Sequence, residues 1–187
     1  MKILKDGADH SSTFEVNDSF GDAERSKPTM FWVDDSTIIS AWMGNGSLSI
    51  NSQSDIYSQK IILNNTSLKK KFVSDKPIND YNLSMTDANP QIIKPLSLAN
   101  YLIVYTSVDE NKNSKIMCSE INSELEILSN KVLVDLPNND FPCSPNIFST
   151  ASGLVLIWTE LKGSSNDVYA QQFSEQSEPI GDKLLLN

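Results

Sequence analysis

Leu154-Val155-Leu156-Ile157-Trp158 is followed, after the polar stretch Lys162 to Asn166, by Asp167-Val168-Tyr169-Ala170-Gln171. The first segment is apolar at every position, so as a strand it must be covered on both faces. The second alternates, with Tyr169 and Gln171 on one face and Val168 and Ala170 on the other. Two such runs separated by a polar loop read as a β-hairpin.

The same pair occurs earlier in the chain. Ile38-Ile39-Ser40-Ala41-Trp42 is followed by a Gly/Ser/Asn-rich stretch, Gly44 to Ser54, and then by Asp55-Ile56-Tyr57-Ser58-Gln59. A degenerate copy lies between them, Tyr101-Leu102-Ile103-Val104-Tyr105 with Lys115-Ile116-Met117-Cys118-Ser119. Each copy is preceded by a proline (Pro28, Pro90, Pro145) and bounded by a hydrophobic residue followed by Asn or Asp. Those boundaries are Val16-Asn17, Ile78-Asn79, Val134-Asp135 and Leu186-Asn187, a repeat period of roughly 50–60 residues.

Each repeat reads as four strands. The first follows the proline: Thr29 to Val33, Gln91 to Ile93 and Asn146 to Phe148. The hairpin supplies the second and third, and the fourth is Lys71 to Ser74, Lys131 to Val134 and Lys183 to Leu186. No segment sustains helical periodicity. The expected fold is therefore all-β, with three tandem four-stranded antiparallel units that are β-propeller-like. The units run over about 18–79, 80–135 and 136–187, forming one domain over 14–187 behind an N-terminal tail, 1–13.

Propellers typically carry about 4–8 blades, so three units imply a half-ring or part of a larger propeller. The alternative is closure on a pseudo-threefold axis like a β-trefoil, although the Gln-x-Trp repeats usual there are missing. The surplus fourth-strand copy at Phe14 to Asn17, together with bare outer faces on the first and third units, predicts a homo-oligomer.

Composition narrows the function. A net charge of −9, from 24 acidic and 15 basic residues, repels phosphates and argues against nucleic-acid binding. The basic run Lys69-Lys70-Lys71 reads as the end of an exposed strand. No run approaches about 18 apolar residues, so no membrane insertion is expected. The opening MKILKDGADHSS has no apolar core of the signal-peptide kind. The expected setting is the cytoplasm, or else the chain is a piece or mature form of an exported protein.

With one histidine, His10, and two cysteines, Cys118 and Cys143, in no cluster, no zinc site is expected and no cofactor is implied. Cys118 shares its column with Ser58 and Ala170, a small-residue position where neighbouring sheets pack closely. It therefore reads as a buried thiol rather than a nucleophile or disulfide partner.

The order proline, apolar run ending in Trp, Asp-Ile/Val-Tyr-x-Gln and hydrophobic-Asn resembles tandem β-propeller-like repeats of large bacterial exported and surface proteins. The likeness covers about residues 14–187, and the second unit departs from it at Lys115, Met117 and Ser119. The resemblance implies an extracellular or cell-surface setting and a binding or scaffold role. The Asp-box of sialidases, Ser-x-Asp-x-Gly-x-x-Trp, is absent.

The leading expectation is a non-catalytic recognition module that binds glycan or protein through its loops. The candidate ligand-binding residues are Asp55, Tyr57, Gln59, Asp167, Tyr169 and Gln171. Against this, both Asp residues can hydrogen-bond their own loops, and both Gln residues can satisfy groups between strands. Trp42, Tyr105 and Trp158 read as core anchors, and Asp109 to Asn113 as a solvated hairpin tip rather than a calcium loop. No catalytic residue stands out, because a nucleophile–base–orienter set cannot be built around His10. Two alternatives stay open: a structural assembly repeat, and a glycoside-hydrolase-like enzyme working through paired carboxylates.

Overall fold

Side-chain alternation and hairpin turns build three separate sheets in the computed structural model, which describes residues 4–5, 8–9, 25–44, 54–62, 76–78, 86–136, 144–162 and 165–187. Near the N-terminus β1 (Leu4–Lys5) pairs with β2 (Ala8–Asp9). The first blade is β3 (Arg25–Asp34), β4 (Thr37–Gly44), β5 (Asp55–Ile62) and β6 (Lys76–Pro77). The second is β7 (Thr86–Ile93), β8 (Tyr101–Val108), β9 (Ser114–Ile121) and β10 (Ile127–Leu136). The third is β11 (Asn146–Thr150), β12 (Gly153–Lys162), β13 (Ser165–Phe173) and β14 (Pro179–Leu185). Every blade is an antiparallel meander in chain order, so the fold is all-β and propeller-like as expected. Three sheets without shared strands do not make the trefoil-like alternative.

The tight turns have local causes. Asp34 Oδ1 accepts hydrogen bonds from the Ser36 amide (2.7 Å) and hydroxyl (2.9 Å), and the amide bond foremost holds this carboxyl below its usual range. At the corresponding turn of the third blade Gly153 adopts φ +126°, and a Cβ there would lie 2.3 Å from the Phe173 carbonyl oxygen. Only glycine fits.

The prolines are not where the sequence placed them. β3 and β7 begin before Pro28 and Pro90 rather than after them. The residue ahead of each, Lys27 and Asn89, sits at φ 53°, and the ladder slips a residue there, between Ser26 and Thr29 and between Ala88 and Gln91. A β-bulge spares the proline a ladder hydrogen bond it cannot donate. Pro145 lies outside its strand, as expected.

The blades pack side by side, with first strands adjacent: β3 runs against β7, and β7 against β11. Ile39, Ala41 and Ile56 of the first blade meet Ile103, Tyr105 and Ile121 of the second. The opposite face of the second blade, with Leu102, Val104 and Ile116, meets Leu154, Leu156 and Trp158 of the third.

Matching turns seal both junctions. Asn122 to Glu126 and Ser174 to Glu178 share one hydrogen-bond pattern and place Leu125 (φ 61°) and Ser177 (φ 66°) in the left-handed region, both buried. Each turn reaches back to the blade before it. Glu124 pairs with Lys60 at 3.0 Å, Lys131 Nζ donates to Glu178 at 2.7 Å, and Ser97 bonds Glu175. Ser177 Oγ lies 3.7 Å from Cys118 Sγ, which explains the small residue in that column. Burial pushes the Cys118 thiol up to about 11.

The second strand is covered on both faces in the first two blades, but only on one in the third, where Val155, Ile157 and Thr159 are half-buried. The outer side of the first blade is covered in part: Ile38, Trp42 and Ile61 are buried, while Met30 and Trp32, paired with Ser40 and Ile38 on the same face, are exposed. His10, Phe14 to Asn17, Lys69 to Ser74 and Cys143 lie outside the described residues.

Candidate active site

The six residues singled out from the sequence share one face of their strands but fall into two groups, on blades separated by the second. Tyr57 stands opposite Trp42 with ring centroids 6.4 Å apart, and Tyr169 opposite Trp158 at 5.9 Å. Gln59 is buried opposite Ser40. Gln171 Nε2 donates to the Gly181 carbonyl at 3.0 Å, filling the slip in the ladder between β13 and β14. Asp167 Oδ2 accepts from the Tyr169 hydroxyl at 3.3 Å. Trp158 and Tyr169 are core residues of the junction between the second and third blades. At the hairpin tip, Asp109 Oδ1 accepts from the amides of Asn111 (2.9 Å) and Asn113 (2.8 Å), the bonding of a closed turn.

Burial of charge points elsewhere. Among the described residues three charged side chains are buried, and all are carboxylates: Asp55, Asp87 and Glu160. There is one in each blade. Asp55 opens the third strand of its blade, Asp87 lies at the start of the first strand of the second, and Glu160 lies near the end of the second strand of the third. In a four-stranded meander those positions share one end of the blade. The contacts between blades keep the ends aligned, since turns at the opposite end meet across both junctions.

The register makes the three positions equivalent rows. Gly44 pairs with both Arg25 and Asp55, Ser107 with both Asp87 and Lys115, and Glu160 with Asp167. At the first junction the Asp87 amide donates to the Ser54 carbonyl at 2.8 Å, and the Ser54 hydroxyl donates to the Asp87 carbonyl at 2.7 Å. In the third blade Glu160 Oε1 accepts from the Trp158 indole N–H (2.9 Å) and from Lys183 Nζ (2.5 Å). The Lys183 ammonium also lies 4.3 Å from the centroid of the Tyr169 ring. A buried carboxylate needs such partners to offset its lost hydration.

Sequence reasoning found Asp55 and missed Asp87 and Glu160. The missing signal was column position. Asp87 precedes Pro90 as Arg25 precedes Pro28, and Glu160 follows Trp158 as Gly44 follows Trp42. Among the described residues no group of three or more His, Cys, Asp or Glu is placed to hold a metal ion. Among the described residues no helix is long and apolar enough to cross a membrane.

No family model and no curated protein matches the chain. Solved structures do. A family 117 glycoside hydrolase from the marine bacterium Zobellia galactanivorans matches with a TM-score of 0.60 and 11% identity, over 89% of this chain and 58% of that one. A GH32 beta-fructofuranosidase of Bombyx mori, in complex with sucrose, matches with a TM-score of 0.57 and 16% identity, over 83% of this chain and 36% of that one. The chain shares its fold with glycoside hydrolases. It spans about a third to just over half of the length of the chains it matches. These neighbours overturn the leading expectation of a non-catalytic recognition module, because the proteins that share its arrangement of blades are hydrolases. They leave the resemblance to surface-protein repeats without further support.

Proposed function

We propose that the chain forms part of the catalytic propeller of a glycoside hydrolase, with its chemistry at the end of the blades that holds Asp55, Asp87 and Glu160. One observation carries this reading: the buried charges of the described residues are carboxylates, one per blade, at a common end. Hydrolysis of a glycosidic bond needs two such groups. One protonates the leaving oxygen, and the other either attacks the anomeric carbon or activates water.

Asp87 is the first choice for a catalytic carboxylate, since β7 is the strand that runs against both neighbouring first strands. Asp55 adjoins Ser54, which is doubly bonded to Asp87. The Lys183 ammonium and the Trp158 N–H fix the orientation of Glu160. The architecture shared with a beta-fructofuranosidase and a family 117 hydrolase supports the reading.

The test is sugar release by the purified chain from a panel of aryl glycosides and plant and algal oligosaccharides. Asp87→Asn is expected to lower the rate at least about 100-fold with an unchanged thermal midpoint. Absence of turnover on every substrate, or full activity in Asp87→Asn, would overturn the proposal.

A further inference from the structure

The ladder between β7 and β8 changes parity partway along. Gln91 stands opposite Val104, and Ile92 opposite Ile103, so Gln91 shares the face toward the third blade and Ile92 the face toward the first. Plain alternation from Gln91 would carry Asn89 and Asp87 to the third-blade side. Instead the slip between Ala88 and Gln91 sets Asp87 opposite Ser107, on the face of Ile103 and Tyr105 that meets the first blade. A register change of one residue turns a side chain to the other face of the sheet. Both main-chain groups of Asp87 then point out of the ladder and bond Ser54 of the first blade, at 2.8 and 2.7 Å.

Asn89 makes this slip. Its φ of 53° is left-handed, a region that asparagine enters more readily than other residues with a side chain. The other common bulge needs a right-handed helical residue, and Pro90 closes that region to the residue before it. Asn89-Pro90 therefore holds the bulge in one form. Lys27-Pro28 builds the same bulge in the first blade, also at φ 53°, but the residue set by it is Arg25, opposite Gly44.

We infer that Asn89 is a positioning residue, whose left-handed bulge turns the Asp87 carboxylate toward the first blade and docks its backbone on Ser54. The inference rests on the reading of Asp87 as a catalytic carboxylate. Asn89 acts through the main chain and needs no contact with substrate. Misplacing a reacting group by about 1 Å can cost on the order of 100-fold in rate, and losing the bulge would move Asp87 to the other face.

Three variants test it. Asn89→Val makes the left-handed backbone costly, Asn89→Gly removes that cost, and Lys27→Val places the same burden on the first blade. Steady-state kinetics are run on the glycoside from which the wild type releases most sugar, and amide exchange at Asp87 is followed by NMR. Asn89→Val is expected to lower kcat on the order of 100-fold with KM little changed. It should also deprotect the Asp87 amide while the amides of β9 stay protected. Asn89→Gly should keep wild-type kcat and protection, and Lys27→Val should keep most of both. If Asn89→Val does not fold, Asn89→Ala carries the same comparison. Wild-type kcat or undiminished Asp87 protection in Asn89→Val, or an equal loss in Lys27→Val, overturns the inference while leaving the hydrolase reading standing. A wild type that releases no sugar overturns the hydrolase reading and the catalytic role of the bulge with it.

Discussion

Ser54 and Asp87 hold the first two blades together with two hydrogen bonds, from the Asp87 amide to the Ser54 carbonyl and from the Ser54 hydroxyl to the Asp87 carbonyl, at 2.8 and 2.7 Å. Both residues are buried. Removing the hydroxyl in Ser54→Ala leaves a buried carbonyl one partner short and is expected to cost about 1–3 kcal/mol. Urea denaturation checks this; an unchanged midpoint would mean that water replaces the hydroxyl. If Asp87 is catalytic, the same variant lowers activity by shifting its strand.

Trp158→Ala is expected to destabilise the protein by about 3–5 kcal/mol, the range for removing a large buried aromatic. Trp158 is 1% exposed and stacks on Tyr169, and its indole donates to Glu160. Trp158→Phe keeps most of the volume and loses only the donor, so its cost should be clearly smaller. Equal losses in the two variants would assign the effect to Glu160 rather than to packing.

Gly153→Ala combines a left-handed φ with a clash against backbone that has no slack. A loss of more than about 2 kcal/mol is expected, at the upper end for a single methyl group. Differential scanning calorimetry reads it directly. A melting temperature within error of wild type would show that the β11–β12 turn can re-form in another geometry.

Cys118 is expected to resist thiol reagents in the folded protein at neutral pH and to react once unfolded. Its pKa is raised, so the neutral thiol is the folded form. Its contribution to stability is fully present below the ordinary thiol value of 9.0 and is lost as pH rises toward about 11. Cys118→Ala should flatten the alkaline side of the stability profile between those limits. An unaltered profile would assign the alkaline loss to other groups.

The repeat was legible because three aromatic anchors, Trp42, Tyr105 and Trp158, end runs that are apolar but for Ser40, and such runs have few folded solutions. The four-strand unit followed from hairpin spacing alone. Asp87 and Glu160 were not legible, because their columns hold Arg25 in one blade and Gly44 and Ser107 in the others. A site built from one contribution per repeat breaks the repeat at each contribution, and pattern matching discards it as noise. The bulges were missed for a related reason. A proline ordinarily ends a strand, and only the slip at Lys27 and Asn89 lets the ladder continue past it.

The left-handed turns at Leu125 and Ser177 give the molecule a direction. Each adds a contact back to the blade before it, so during synthesis the seam begun by Ser54 and Asp87 gains its Lys60–Glu124 end only when residues 122–126 have left the ribosome, and the second seam gains its Lys131–Glu178 contact only with residues 174–178. Closure is vectorial, and a fault in one latch is felt upstream. Leu125→Gly, which frees the backbone but removes a side chain buried to 1%, is expected to speed amide exchange in β5 before it does so in β9.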